Sequence, residues 1–256
     1  MKFEFVDCEI EKSFAIITIH NPPVNALGSE INCELYERLH RIDLDENIKV
    51  IILTSKGEKF FAAGADIKEF LSLNGNTGPI YSSRNNYIRE YIRTFPKPII
   101  CAVNGVTIGA GIVLALLCDI RIAVKHATFS MGEINMGIIG GTQPVARMLH
   151  SGIARKMIYS GLPIDSFEAY TAGLIDEVVD KINLLPRAIE LAKVIAEKPP
   201  LALRFTKECM LKAYDSEINI SNKYEYECLR KLWKSADRTE ALCAFTEKRK
   251  AHFEGN

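Results

Sequence analysis

"VNGVTIGAGIVLALLCDIRIA", residues 103–123, is the stretch on which the reading of this chain turns. It leaves an apolar strand, "FPKPIICAVNG" (95–105), turns on glycine, and enters an apolar helical run from Ile112 to Cys118. "CDIRIAVKHATFSM" (118–131) then alternates and predicts one strand or two short ones. Small residues such as Gly109, Ala110 and Gly111 let a backbone approach another group closely. A small-residue turn feeding a helix also exposes unpaired N–H groups and the positive end of the helix dipole. The run holds no acid, base or nucleophile until Cys118 and Asp119, so any reactive side chain must come from elsewhere.

The same strand–helix rhythm extends outward. "AIITIHNPPVNALGS" (15–29) reads as a strand, a proline loop and a helix capped by Ser29. That helix sets Ile31, Leu35, Leu39 and Ile42 on one face. Glu34–Arg38 and Glu37–Arg41 lie one turn apart on the other. "IKVIILTSKG" (48–57) is apolar at every position from Val50 to Leu53, as suits a sheet covered on both faces. Strand and helix recur through Val179, which is α/β organisation. From Ile182 onward only helices are expected, with Leu201, Phe205 and Cys209 forming one stripe. The division expected is a core over residues 1–195 and a helical lobe over 196–256.

The chain has 256 residues and equal numbers of acidic and basic groups, 32 each, so nucleic acid and anionic membranes are not expected partners. No apolar run reaches transmembrane length. "MKFEFVDCEIEKSF" at the N-terminus lacks a signal-peptide core, and seven scattered cysteines without a CxxC read as reduced thiols, so a cytoplasmic setting is expected. The five histidines show no metal spacing, and no metal site is expected.

Two glycine-punctuated turns stand out, "FFAAGADIKEF" (60–70) and the one at 103–116. One alone reads as a tight strand-to-helix turn. Two side by side would aim two amides at one oxygen and form an oxyanion hole. Glu133, in "FSMGEINMGIIGGTQ" (129–143), is a lone acid among apolar residues. There a carboxyl has a raised pKa suited to proton transfer, unless it is a solvated turn glutamate. Asp66 is placed to cap a helix, and Asp119 to end one and pair with Arg121. "EKRKAHF" (247–253) is a solvated helix end or a contact for a ligand phosphate.

Taken together and in order, these segments resemble the enoyl-CoA hydratase/isomerase, or crotonase, family. "NPPVNAL", "FAAGADIKEF", "VNGVTIGAGIVLALLCDIRIA", "FSMGEINMG", "AGLIDEVV" and "AFTEKRKAHF" carry the resemblance across nearly the whole chain. It implies a crotonase-like spiral of ββα units with a C-terminal helical oligomerisation lobe, a homotrimer or hexamer, and a coenzyme A thioester as substrate, with no other cofactor. By position it implies oxyanion amides at Ala65 and Ala110 and an acid/base at Glu133. It places coenzyme A against Val24, Ala26, Leu27, Ala63, Gly64, Asp66, Ile67 and Lys68, with Phe245 and Lys248 reaching the same ligand, often in a neighbouring subunit.

The family's hydratases use two glutamates. The second would fall at Val113, which cannot orient water or shuttle a proton. Other branches place an aspartate near Ile139 to Gly141, where this chain has no acid, and "GIIGGTQPVAR" is shorter than the family's usual form. One acid suffices to isomerise a 3-enoyl to a 2-enoyl thioester, so isomerisation fits the residues better. Hydration would need another group, such as Glu69 or one from the 71–95 segment with Tyr81, Arg84 and Tyr87, expected to line the acyl pocket. A decarboxylase or hydrolase shares the same enolate or oxyanion step. A non-catalytic acyl-CoA binder is the reading from another class, and an RNA-binding member is disfavoured by zero net charge.

Overall fold

The computed structural model describes residues 3–255; residues 1, 2 and 256, at the outer bounds of the expected core and lobe, lie outside the described residues. Three chain segments repeat one unit: a strand in a large sheet, a short strand in a small sheet, then helix. The units are β3 (Val50–Ser55) with β4 (Phe60–Ala62), β5 (Ile99–Val103) with β6 (Val106–Ile108), and β7 (Ile120–Val124) with β8 (Thr128–Ser130). Before them run β1 (Val6–Ile10), β2 (Phe14–Ile19) and helix α1 (Ser29–Asp43). The large sheet has the order β1-β2-β3-β5-β7-β10, where β10 is Glu177–Val179. It is parallel except for the edge pair β1–β2. The small sheet is β4-β6-β8-β9, with β9 (Ile164–Asp165) antiparallel to β8. This is the expected spiral of ββα units, and "CDIRIAVKHATFSM" resolves into the two short strands β7 and β8.

Between the strands lie α2 (Ile67–Ser72), α3 (Thr77–Arg93), α4 (Ala110–Leu117), α5 (Thr142–Met148), α6 (Ser151–Ser160) and α7 (Ser166–Thr171). The chain ends in α8 (Leu184–Ala196), α9 (Pro200–Asp215), α10 (Ile218–Leu232) and α11 (Ala236–Glu247). Val50 to Leu53 and Ile99 to Val103 are buried throughout, as continuous apolar runs require. Helix α8 packs on β2, β3, β5 and β7, and buries Leu184, Ala188, Ala192 and Ala196, a small-residue stripe that seats the helix closely on the sheet. Among the described residues, no helix is long and apolar enough to cross a membrane.

Three local expectations are corrected. Ser29 is the first residue of α1, not its cap. Gly28 holds the cap position, and the Ser29 N–H and hydroxyl both donate to the Glu69 carboxylate. Glu34 is buried rather than solvated: it accepts from the backbone N–H groups of Glu4, Phe5 and Val6, and Arg38 donates to the Val6 carbonyl. An interior carboxylate is tolerated only with such a donor set, and this one ties the N-terminal strand to α1. Asp119 does not pair with Arg121. It accepts from the Ile99 N–H and from Lys207 of α9, both at 2.7 Å, while Arg121 pairs with Asp176 at 2.9 Å.

Candidate active site

Two short segments are zipped together. The Ala63 N–H donates to the Val24 carbonyl at 3.1 Å, Leu27 N–H to Gly64 at 2.7 Å, and Asp66 N–H to Leu27 at 3.3 Å. Asn25, itself buried, fastens the first segment by donating to the Lys56 and Phe60 carbonyls. Val24, Ala26, Leu27, Ala63, Gly64, Asp66 and Ile67 are thus brought into one region, with Lys68 exposed beside them. The Asp66 side chain caps α2, accepting from Lys68 N–H at 2.8 Å and from Glu69 N–H.

Each alanine of interest follows a glycine with positive φ: Gly64 at +94° before Ala65, and Gly109 at +50° before Ala110. Such a glycine turns the next peptide plane in a way a side chain would resist. Neither the Ala65 nor the Ala110 N–H donates to another described residue. Both residues line one small cavity of ≈ 30 Å³. Leu27, Ile88, Ile92, Leu114 and Leu117 form its apolar wall, and Asn32, Tyr81, Asn85 and Arg89 its polar one.

Glu133 sits on a 3₁₀ turn, Gly132–Met136, directly after β8. Its carboxyl group lies against Gly109: a Cβ added there would be 2.3 Å from Oε1. Gly140 flanks the carboxyl from the other side. Oε2 is buried with no hydrogen-bond partner among the described residues. Burial pushes the carboxyl above its ordinary pKa, opposed by a backbone hydrogen bond and by the positive charge of Arg89. Glu133 is therefore not a solvated turn residue. It stands beside the glycine that orients the Ala110 amide.

Val113, one turn along α4 from Ala110, is buried, and a Cβ added at Gly141 would be 2.4 Å from its Cγ2. Glu69, weighed as a second acid, is engaged with Ser29 at the start of α1. Of the 71–95 segment, Tyr81 lines the cavity, but Arg84 reaches Cys33 and Tyr87 is exposed. The segment instead contributes Asn85, Ile88, Arg89 and Ile92, which the sequence reading did not single out. Their signal is helical spacing: Tyr81, Asn85 and Arg89 recur every fourth residue and share one face of α3. Among the described residues, no carboxylate lines the cavity. Phe245 is 83% exposed at the end of α11, and Lys248 follows at its C-terminus; this chain alone does not bring either to the cavity.

Two free amides beside a half-buried carboxyl with one unpartnered oxygen form a set suited to moving a proton next to a carbonyl. The amides stabilise an oxyanion as charge develops, and one such donor is typically worth about 3 kcal/mol of barrier.

A family model described as enoyl-CoA hydratase/isomerase matches residues 9–256. The chain is 38% identical over 257 residues to a probable enoyl-CoA hydratase of Bacillus subtilis, covering 98% of each. It is 34% identical to a short-chain-enoyl-CoA hydratase of Clostridium acetobutylicum, covering 98% of this chain and 97% of the other. The crystal structure of an enoyl-CoA hydratase from Bacillus anthracis superposes with a TM-score of 0.94 at 32% identity, over 99% of this chain and 100% of that one.

Proposed function

The chain belongs to the enoyl-CoA hydratase/isomerase family, an acyl-CoA enzyme by that membership, and from that premise we propose that it moves the double bond of a 3-enoyl-CoA to the 2-position with Glu133 as its one acid/base. The ionised carboxyl takes a proton from C2. The electron pair of that C–H bond passes into a dienolate, whose charge rests on the thioester oxygen between the Ala65 and Ala110 N–H groups. Glu133 then returns the proton at C4, the double bond settles between C2 and C3, and the carboxylate is regenerated. The step calls for no cofactor beyond the coenzyme A moiety of the substrate.

The observation that carries this reading is a single carboxyl, with an unpartnered oxygen, against Gly109 beside Ala110, while no carboxylate among the described residues lines the cavity itself. The names of the relatives favour a second reading, hydration of a 2-enoyl-CoA. In this chain water would need a second proton carrier, and the titratable groups on the cavity wall are Tyr81 and Arg89.

Coenzyme A is placed along Val24–Leu27 and Ala63–Lys68, where the two segments are zipped. Residues 1–195 are taken as the spiral core and 196–256 as the lobe. Exposed Leu229, Leu242 and Phe245 on α10 and α11, with Trp233 just after α10, support assembly into a trimer or hexamer, with Phe245 and Lys248 contributed to a neighbour's ligand. The protein's place is taken to be the cytoplasm.

The test is a paired assay of the purified protein and Glu133→Gln with a 3-enoyl-CoA and a 2-enoyl-CoA, products being separated by chromatography. Isomerisation of the first alone, abolished by Glu133→Gln, supports the proposal. Uptake of water by the second establishes hydration instead. Bound but unchanged thioesters would leave a non-catalytic acyl-CoA binder.

A further inference from the structure

Arg89 is the one basic residue on the cavity wall. Its neighbours on α3 are engaged: Arg93 pairs with Glu90 and Asp215, and Arg84 reaches Cys33. Arg89 is half-buried and makes neither an ion pair nor a hydrogen bond among the described residues. The titratable groups whose charge it feels are Tyr81 and Glu133. Among the described residues neither forms an ion pair or a hydrogen bond with it, and Glu133 Oε2 has no partner at all. The two carboxylates whose charge acts on Tyr81 are occupied elsewhere, Asp66 by the α2 cap and Glu69 by Ser29. Taking a guanidinium from water without an anion costs free energy that an incoming anion recovers.

The surroundings suit a planar anion. Tyr81, Asn85 and Arg89 recur every fourth residue along α3 and give the cavity one polar stripe, while Leu114 and Leu117 of α4 line it with apolar surface. Asn85 already accepts from Asn32 at 2.9 Å, which holds the stripe in place. Ala65, Ala110 and Arg89 line the same small cavity, so an acyl chain held by its carbonyl at the two alanines can extend toward Arg89.

We propose that the preferred acyl group is short and ends in a carboxylate, which Arg89 receives as a charge-assisted, bidentate pair while the thioester oxygen rests on Ala65 and Ala110. The inference rests on the acyl-CoA reading above and adds its substrate class. Arginine presents a planar fork that matches a carboxylate in two bonds, which lysine does not.

The test is binding, which does not depend on turnover. Calorimetry compares glutaryl-CoA with pentanoyl-CoA, saturated five-carbon thioesters that differ in the terminal carboxylate. The wild type is expected to prefer glutaryl-CoA by about tenfold or more, the scale of one charge-assisted bond. Arg89→Gln is expected to bring that ratio to roughly one, and Arg89→Lys to keep part of it. Thermal melts confirm that each variant is folded. Equal wild-type affinities overturn the proposal. So does a ratio untouched by Arg89→Gln, which would make Arg89 a positioning residue for Glu133. Failure to bind either thioester overturns the acyl-CoA reading as well, whereas binding without preference overturns the carboxylate alone.

Discussion

Alanine at position 109 would be the smallest change that separates the two halves of the site. Its methyl carbon would lie 2.3 Å from Glu133 Oε1 and 3.0 Å from Cδ, where ordinary contact begins near 3.4 Å. The carboxyl must therefore retreat by about 1 Å. A displacement of that size typically costs on the order of 10²-fold in rate, which corresponds to about 2.7 kcal/mol of barrier. Alanine also resists the φ of +50° that Gly109 adopts, at a further cost to stability of about 1–3 kcal/mol. The assay is kcat/KM on a 3-enoyl-CoA, followed by chromatography, beside a thermal melt of each protein. Gly152→Ala is the control: Gly152 lies in α6 with open space around its added Cβ, so activity should hold and stability rise slightly. Gly109→Ala working within about threefold of wild type with an unchanged melt would refute the argument. The carboxyl would then be free to step aside, or would not be the base.

Five further outcomes are expected. Because burial raises Glu133 above its ordinary 4.5, kcat/KM should fall with falling pH along a limb lying above that value, and Arg89→Gln, by removing an opposing charge, should move the limb higher. The same raised pKa makes this carboxyl's contribution to stability greatest below its unfolded pKa and lost as pH rises through the folded one, so Glu133→Gln should gain stability relative to wild type in neutral melts. Val113→Glu should bring detectable 3-hydroxyacyl-CoA from a 2-enoyl-CoA, at about 1–3 kcal/mol of stability for a buried carboxyl; a folded variant that adds no water would contradict the role given to that position. Lys207→Met leaves Asp119 without its 2.7 Å partner on α9 and should cost about 3 kcal/mol, read as a fall in denaturant midpoint. Phe245→Ala should weaken coenzyme A binding if a neighbouring subunit lends this ring, and unchanged affinity would count against that placement.

What the chain's linear pattern made legible were features with a local cause. The apolar runs Val50–Leu53 and Ile99–Val103 announce a doubly covered sheet, and Ile31, Leu35, Leu39 and Ile42 announce the buried face of α1. The two Gly-Ala turns and the isolated Glu133 were likewise visible, since each depends on immediate neighbours. Features set by distant partners were not. Glu34 looks like a surface residue until the N-terminal strand arrives to donate three N–H groups. Asp119 meets Lys207 across 88 positions, and Arg121 meets Asp176 across 55, so nearest-neighbour pairing chose wrongly. Arg89 was missed for a subtler reason. The 71–95 segment is expected to be a loop and helix lining the acyl pocket, but the rotation of α3 against the body decides whether Tyr81, Asn85 and Arg89 or Arg84 and Tyr87 turn inward, and packing sets that rotation.

The two donors of the candidate oxyanion hole belong to the main chain, and the residues carrying them are already alanine. An alanine scan would pass over both and leave half of the site invisible. Drift in side-chain identity at positions 65 and 110 would also leave the donors in place, because any residue but proline keeps its N–H. The information that aims them is stored one step upstream, in Gly64 and Gly109. Interrogating this half of the site calls for changes to the backbone itself: proline at 65 or 110, or an ester in place of either amide.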